Sequence, residues 1–249
     1  MGQAASIDPT EIDRFERMAA QWWDADGPMA PLHRLNPTRL QYSRMRLCHH
    51  FDLDVGDLRP LTGLRLLDVG CGGGLLAEPF ARMGASVMGI DAGAENIATA
   101  NAHAQALGVE VDYRTMAAED LAASGAQFDA VVSMEVIEHT ADVAGFIAAL
   151  VDLTRPGGVL LLATLNRTPR SFITAILGAE YVLRWLPVGT HDWQRFRKPA
   201  ELGRYLRRSG AELRHIAGMR YLPRQGEWQL SRDARVNYLA YAVRPPTRL

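Results

Sequence analysis

From about residue 64 onward, short apolar runs alternate with amphipathic ones, and glycine-rich or polar turns separate them. The apolar runs are typical of buried strands and the amphipathic runs of helices. Regular strand–helix alternation favours a doubly wound, Rossmann-like α/β fold with a mostly parallel sheet. We predict strands over 64–69, 86–91, 109–113, 128–134, 158–165, 211–221 and 234–244, and helices over 75–83, 93–107, 142–153 and 199–208.

The first 60 residues differ from this alternating core because their pattern is helical only. Asp8 followed by Pro9 resembles a capped helix start, and apolar residues follow at helical spacing. A second helix is expected after Asn36-Pro37. We therefore expect a single domain over 1–249 whose first 60 residues form a helical cap.

A second departure from the alternation is an apolar, basic insertion over 166–198, after the fifth strand. Its segment 171–186 is apolar nearly all round, and arginines precede and follow it. It is too short to span a bilayer, which takes about 20 apolar residues. Three interpretations stay open: a lid over a lipid-like substrate, a membrane-interface helix, or a helix packed at the edge of the core.

The most informative stretch is the turn that follows the first strand. Asp68 precedes a loop with glycines at 70, 72, 73 and 74, and a helical run comes next. Glycines at a strand-to-helix turn allow positive φ and let a ligand lie against the backbone. The turn therefore predicts a nucleoside-binding site that includes Asp68, Gly70 and Gly72.

Two nucleoside ligands compete for this loop. Asp91 ends the second strand about twenty residues further on. An acid at this position can accept hydrogen bonds from the two ribose hydroxyls of either ligand. An acid at Asp68 is a poor neighbour for the pyrophosphate of a dinucleotide, but it suits the ammonium and sulfonium of S-adenosylmethionine. The sequence thus favours S-adenosylmethionine, with an NAD-dependent oxidoreductase as the alternative.

Charge is divided unevenly along the chain, although its net value is only −1. Residues 1–154 hold 10 Arg and 22 Asp or Glu, a net of −12, whereas residues 155–249 hold 17 Lys or Arg and 6 acids, a net of +11. A basic second half suggests an anionic partner such as a membrane surface. Two cysteines and the lack of a signal-peptide pattern predict a reducing, cytoplasmic location, with peripheral contact at the inner face of the membrane.

A cluster of titratable residues follows the fourth strand. Glu135, Glu138 and His139 lie within five positions, directly after Met134. A phenolic hydroxyl becomes a good nucleophile once it loses its proton, either to a base such as His139 or to the Lewis acidity of a divalent cation. Two carboxylates and an imidazole suit Mg²⁺ or another divalent cation, so these three residues are candidate metal ligands as well as catalytic ones. Acids at a helix start are the structural alternative.

Past the insertion, His191 and Asp192 form a second candidate pair for a base or a substrate clamp. A capped turn explains the two residues almost equally well. Glu119, after the third strand, is a weaker candidate for contact with an adenine edge.

The motifs together resemble the class I S-adenosylmethionine-dependent methyltransferases and, more narrowly, the ubiquinone biosynthesis O-methyltransferase family. The likeness covers nearly the whole chain and rests on the glycine loop together with more specific runs. These are Trp22-Trp23-Asp24, Leu32-His-Arg-Leu-Asn-Pro37, Met134-Glu-Val-Ile-Glu-His139, Thr164-Leu-Asn-Arg167, Gly178-Ala-Glu-Tyr181 and Gly189-Thr-His-Asp192.

The resemblance implies a seven-stranded sheet with its last strand antiparallel, and two O-methylation steps on polyprenylated phenols or catechols. It implies donor contacts at Arg39, Gly70, Asp91 and Met134, and it makes partners in a ubiquinone-biosynthesis assembly conceivable. No nucleic acid is expected, because the basic half carries an apolar helix and no aromatic stacking platform. A nucleic-acid methyltransferase and a non-catalytic membrane scaffold are the remaining alternatives.

Overall fold

The computed structural model describes residues 6–172 and 192–247, which form a central sheet covered by helices on both faces. The helices are α1 (Pro9–Glu16), α2 (Ala30–Phe51), α3 (Ala77–Arg82), α4 (Ala94–Leu107), α5 (Ala118–Ala123), α6 (Val143–Leu153), α7 (Pro169–Ser171) and α8 (Pro199–Arg208). The strands are β1 (Arg65–Val69), β2 (Ser86–Asp91), β3 (Asp112–Thr115), β4 (Phe128–Met134), β5 (Thr154–Leu165), β6 (Glu212–Leu222), β7 (Glu227–Ser231) and β8 (Asn237–Val243).

The sheet has the order β3-β2-β1-β4-β5-β8-β6-β7, and its first five strands pair in parallel. β8 lies antiparallel between β5 and β6, as the family resemblance implies for the last strand. The strand order reverses between β1 and β4, and in such sheets ligands bind outside the carboxyl ends of the strands at this point. Val69, Asp91 and Met134 end β1, β2 and β4 there. The predicted doubly wound fold is confirmed.

The expected strand count of seven is wrong, because the described residues contain eight strands in this sheet. The additional strand, β7, forms a hairpin with β6. It is five residues long, and only Trp228 and Leu230 in it are large apolar residues. So short a polar segment carries too weak an alternation to be distinguished from a loop.

The second helix of the cap begins earlier than predicted. α2 starts at Ala30 and continues through Pro37 to Phe51, although proline removes one backbone donor from a helix. Tertiary contacts on both sides of the proline hold this turn in place: Asn36 Nδ2 donates to the carbonyl of Leu75 at 2.6 Å, and Thr38 Oγ1 donates to the carbonyl of Trp228 at 2.7 Å. α2 therefore connects the glycine loop to the β6–β7 hairpin.

Apolar side chains form a separate core on each face of the sheet. One core packs α2, α3 and α4 against one face, and the other packs α5, α6 and α8 against the opposite face. A third, smaller cluster joins the amino-terminal cap to the glycine loop through Trp22, Met29 and Leu75. This third cluster positions the cap over the carboxyl edge of the sheet.

Candidate active site

A cavity of about 400 Å³ lies at the carboxyl edge of the sheet, beneath the amino-terminal cap. Most of the residues singled out from the sequence line it. They are Arg39, Asp68, Gly70, Gly72, Asp91, Glu119, Met134, Glu135, Glu138 and His139. Segments 100 residues apart in the chain thus converge on one pocket.

The glycine loop forms the floor of this cavity. Gly70 has φ +72°, and a Cβ there would lie 2.4 Å from Val136 Cγ2. Gly72 has φ +52°, and a Cβ there would lie 2.4 Å from the ring of Trp22. Both positions need glycine for conformation and for space, since L side chains rarely adopt such φ values.

Asp91 is held rigidly at the end of β2. Its Oδ1 accepts from the backbone N–H of Gly93 at 2.8 Å and from Asn96 Nδ2 at 3.1 Å, and its Oδ2 accepts from the N–H of Gly72 at 3.0 Å. Burial raises its pKa, and these three hydrogen bonds oppose the rise. Lone pairs that these donors do not use are available to ribose hydroxyls.

Asp68 and Arg39 supply opposite charges near the glycine loop. Asp68 is 2% exposed, and its Oδ2 has no hydrogen-bond partner among the described residues. Burial and the charge of Asp91 raise the pKa of Asp68 to about 7, and the Arg39 guanidinium opposes this. Arg39 is 4% exposed, and its Nε and Nη2 also lack hydrogen-bond partners within the described ranges. Buried polar atoms without partners are costly, so this part of the cavity suits a ligand that carries both an ammonium and a carboxylate.

Glu119 follows the start of α5 and has both carboxylate oxygens buried without a described hydrogen-bond partner. It lines the same cavity as Ala117 and Ala118. Two unsatisfied acceptors next to small apolar residues fit the exocyclic amine and the face of an adenine. The contact of Glu119 with an adenine edge stays a prediction.

The titratable residues after β4 have separate partners. Glu135 Oε1 lies 3.1 Å from Arg39 Nη2, Glu138 Oε2 accepts from Thr164 Oγ1 at 2.8 Å, and His139 Nδ1 lies 2.8 Å from Glu11 Oε2. No group of three or more His, Cys, Asp or Glu side chains within the described parts of the chain forms a metal-binding cluster. The expected ligand set Glu135, Glu138 and His139 is therefore not assembled in this arrangement.

Burial changes the acidity of two of these groups. It raises the pKa of Glu138 to about 7, and the neighbouring Glu135 charge adds to the rise. Burial alone would lower the pKa of His139, but the hydrogen bond to Glu11 and the charge of Glu138 more than offset it, so this pKa is raised. Glu138 therefore titrates in the range useful for general acid–base chemistry, and the raised pKa makes the His139 imidazole a stronger base than an isolated one.

Asp192, the described member of the second candidate pair, does not line the cavity. Asp192 is exposed and accepts from the backbone N–H of Gln194 at 2.9 Å, so it caps the short helical turn that follows. This contact agrees with the capped-turn interpretation. His191 lies outside the described residues.

Sequence reasoning missed the part that the first helix plays. Glu11 bonds to His139, the Phe15 ring meets the His139 ring edge-on at 5.2 Å, and Asp8 pairs with Arg195 at 3.1 Å. These contacts place α1 over the cavity. The sequence signals only that a helix starts at Asp8, because contacts between residues 128 positions apart depend on the tertiary fold.

Similarity to known proteins agrees with this geometry. Residues 67–162 match the methyltransferase domain family. Proteins named ubiquinone biosynthesis O-methyltransferase from Azorhizobium caulinodans and from a Methylobacterium species are each 52% identical to the chain. The first match covers 94% of this chain and 92% of that protein, and the second covers 96% of each. A magnesium protoporphyrin IX methyltransferase from Synechocystis, solved with bound S-adenosylhomocysteine, shares the fold with a TM-score of 0.64 at 21% identity over 94% of each chain.

The lack of space around Gly70 predicts that one added methyl group weakens ligand binding. Gly70→Ala should weaken S-adenosylhomocysteine binding at least tenfold, because the new Cβ would displace Val136 and strain the turn. Gly108→Ala is the matched control: Gly108 also has positive φ, at +64°, but a Cβ there would meet nothing within 4 Å. Titration calorimetry should show unchanged affinity for the control variant, and equal losses in both variants would contradict the steric argument.

The raised pKa of Asp68 predicts a pH-dependent affinity. The pKa of Asp68 is about 7 in the folded protein and 3.8 in the unfolded chain. The protonated carboxyl group therefore contributes to folding stability at low pH, and this contribution is lost as the pH rises through 7. A ligand ammonium favours the ionised carboxylate, and S-adenosylhomocysteine should therefore bind more tightly at pH 8 than at pH 5.5. Asp68→Asn should remove most of this dependence, whereas Glu138→Gln, which removes the other group with a pKa of about 7, should retain it.

Proposed function

Because the chain belongs to the ubiquinone biosynthesis O-methyltransferase family, we propose that it carries out both O-methylation steps on polyprenylated phenol and catechol precursors of ubiquinone. The chain is an S-adenosylmethionine-dependent O-methyltransferase, with the fold and methyltransferase domain of its relatives. The observation that carries the proposal is the cavity itself, which joins the predicted donor contacts at the glycine loop to His139.

The donor is proposed to lie across the carboxyl edge of the sheet. Its amino-acid end meets Arg39 and Asp68, its ribose meets Asp91, and its adenine lies beside Glu119. Met134 ends β4 and lines the same cavity. The unpartnered buried atoms of Arg39, Asp68 and Glu119 support this orientation, since each gains a hydrogen bond from the ligand.

The acceptor ring is proposed to enter the part of the cavity beneath α1, beside His139. The acidic Glu11 carboxylate can only accept, so His139 Nδ1 donates to it and Nε2 is left as the proton acceptor. The phenolic O–H gives its proton to Nε2, and an oxygen lone pair forms the new O–CH₃ bond. The CH₃–S bond breaks with its electron pair returning to sulfur, which converts the sulfonium to a neutral thioether.

The cap contributes by limiting the access of water to this step. Phe15, Met18 and Trp22 line the cavity from the side of the cap, and Trp22 is 7% exposed. Bringing the phenolic oxygen and the methyl group together beneath these apolar cap residues lowers the barrier through orientation and desolvation.

A divalent cation at this site stays a prediction. Mg²⁺ would lower the pKa of catechol oxygens that chelate it. Glu135, Glu138 and His139 are of the right chemical type, but their present partners are Arg39, Thr164 and Glu11.

Peripheral contact with an anionic membrane is a further part of the proposal. It is supported by the net charge of +11 over residues 155–249 and by the exposed Arg204, Arg207 and Arg208 on α8. Three arginines that flank the apolar segment of the insertion have acidic partners instead: Arg167 pairs with Glu201, Arg170 with Asp233 and Arg195 with Asp8. Among the described helices, none has the length and apolar character needed to cross a bilayer. Contact with a ubiquinone-biosynthesis assembly would involve the same surface.

A methylation assay tests the catalytic part. With a catechol that carries a short prenyl tail, His139→Ala should lower kcat at least a hundredfold because proton transfer is lost. Glu11→Gln should lower kcat about tenfold with little change in KM for the donor, and Glu11→Asp should recover part of the rate.

The same assay with and without EDTA separates the two routes to the oxyanion. Activity that EDTA abolishes and Mg²⁺ restores would favour a metal bound by the three residues. Unchanged activity would leave proton transfer to His139. Full activity of His139→Ala without any metal requirement would contradict both the metal route and the proton-transfer route.

Co-sedimentation with vesicles tests the membrane contact. The protein should bind vesicles rich in anionic lipid and release them at high salt, and it should not bind neutral vesicles or tRNA. Replacing Arg204, Arg207 and Arg208 together by Gln should weaken vesicle binding. Equal binding to neutral and anionic vesicles would contradict the electrostatic argument.

A further inference from the structure

The ion pair between Arg39 and Glu135 joins the amino-terminal cap to the end of β4 inside the cavity. Arg39 comes from the middle of α2 and Glu135 directly follows β4, and Nη2 and Oε1 lie 3.1 Å apart. The two side chains are only 5% and 20% exposed. Charges withdrawn from water to this extent are normally paired through well-formed hydrogen bonds.

This pair is not well formed. Arg39 Nε, Arg39 Nη2 and Glu135 Oε1 are all buried, and none has a hydrogen-bond partner among the described residues. The 3.1 Å approach therefore supplies attraction between charges without the directed contacts of a bidentate pair. A carboxylate that approached the guanidinium in better alignment would satisfy donors that Glu135 leaves unused.

The backbone of Glu135 is also unfavourable. Its φ is +58°, in the left-handed region, which few residues other than glycine adopt. Apart from Asp52, which ends α2, it is the one non-glycine residue in the described ranges with positive φ. Strained backbone at a ligand site is typical of positions whose side chain must reach a particular place.

The surroundings indicate which ligand group suits Arg39. Arg39 and Asp68 line the same cavity, and the guanidinium charge opposes the raised pKa of Asp68, so two opposite charges are available to one ligand. An α-amino acid presents an ammonium that fits Asp68 and a carboxylate that fits Arg39. The Glu135 carboxylate has the charge and chemistry of that ligand carboxylate and meets the same guanidinium.

We propose that Glu135 is an internal competitor for the carboxylate of the methyl donor, and that the two carboxylates contend for the Arg39 guanidinium. This inference rests on the proposed placement of the donor. Glu135 is then a specificity-determining residue. A donor analogue gains binding affinity from Arg39 only if its own carboxylate displaces that of Glu135. The competition also keeps donor affinity moderate, so that the demethylated product can leave.

Binding measurements with two matched ligands test the proposal. S-adenosylhomocysteine carries the carboxylate, and decarboxylated S-adenosylhomocysteine keeps the adenosine, sulfur and amine but lacks it. Glu135→Gln removes the competing charge with little change of shape, and Glu135→Asn does so with a residue that tolerates positive φ. Both variants should bind S-adenosylhomocysteine about tenfold more tightly, since one charge a few ångströms away is removed from a partly buried site. Neither should bind the decarboxylated ligand more tightly.

Two further variants complete the design. In an Arg39→Gln background, Glu135→Gln should no longer increase the affinity for S-adenosylhomocysteine, because the guanidinium for which the two carboxylates compete is absent. Glu119→Gln neutralises another carboxylate of the same cavity, but one without an ion pair to Arg39, and it should change the affinities of both ligands alike. Thermal unfolding of each variant checks that the fold is retained.

Three results would overturn the competitor role of Glu135. They are an increase of less than twofold in affinity for S-adenosylhomocysteine, an equal increase for both ligands, or weaker binding of S-adenosylhomocysteine in both Glu135 variants. Failure of the proposed function has a different result: the unmodified protein would then bind neither S-adenosylhomocysteine nor S-adenosylmethionine.

Discussion

The site depends on one constraint, which is the excess of negative charge in the cavity at the carboxyl edge of the sheet. Seven carboxylates line the cavity, and Arg39 and His139 are the basic residues among them; the carboxylates are Asp8, Glu11, Asp68, Asp91, Glu119, Glu135 and Glu138. Burial of so many acids raises the pKa of Asp68 and of Glu138 to about 7. A ligand with an ammonium and a sulfonium relieves this repulsion, whereas a pyrophosphate would increase it. The same electrostatic property therefore selects the donor and favours proton exchange near neutral pH.

The alternating core was predictable because each of its segments carries its own signal. β1, β2 and β4 are apolar runs, and Asp68, Gly70 and Asp91 stand at fixed spacings from strand ends. In a parallel sheet the carboxyl ends of strands meet at one edge, so positions along the chain translate directly into a common site. The same rule placed Met134 and the residues after it in the same cavity as Gly70 and Asp91.

The cap and the partners of each side chain were less predictable. The prediction that α2 starts after Pro37 followed the local rule for proline, but hydrogen bonds to Leu75 and Trp228 from the neighbouring Asn36 and Thr38 hold the helix through it. The bond from Glu11 to His139 joins segments with no shared sequence pattern. Strand β7 was missed because only two large apolar residues mark it. In each case a tertiary contact outweighs the local preference.

Packing of Trp22 against the floor of the cavity has a consequence for engineering. The indole covers Gly72 and Gly73 closely enough that an added methyl group at either would lie about 2.5 Å or less from it, and its N–H donates to Asn96 at 2.8 Å. The loop and the indole are thus complementary in shape across 50 positions of the chain. A chimaera that imports the loop from a distant homologue must import the matching aromatic residue as well, because the two have to be exchanged as a single module.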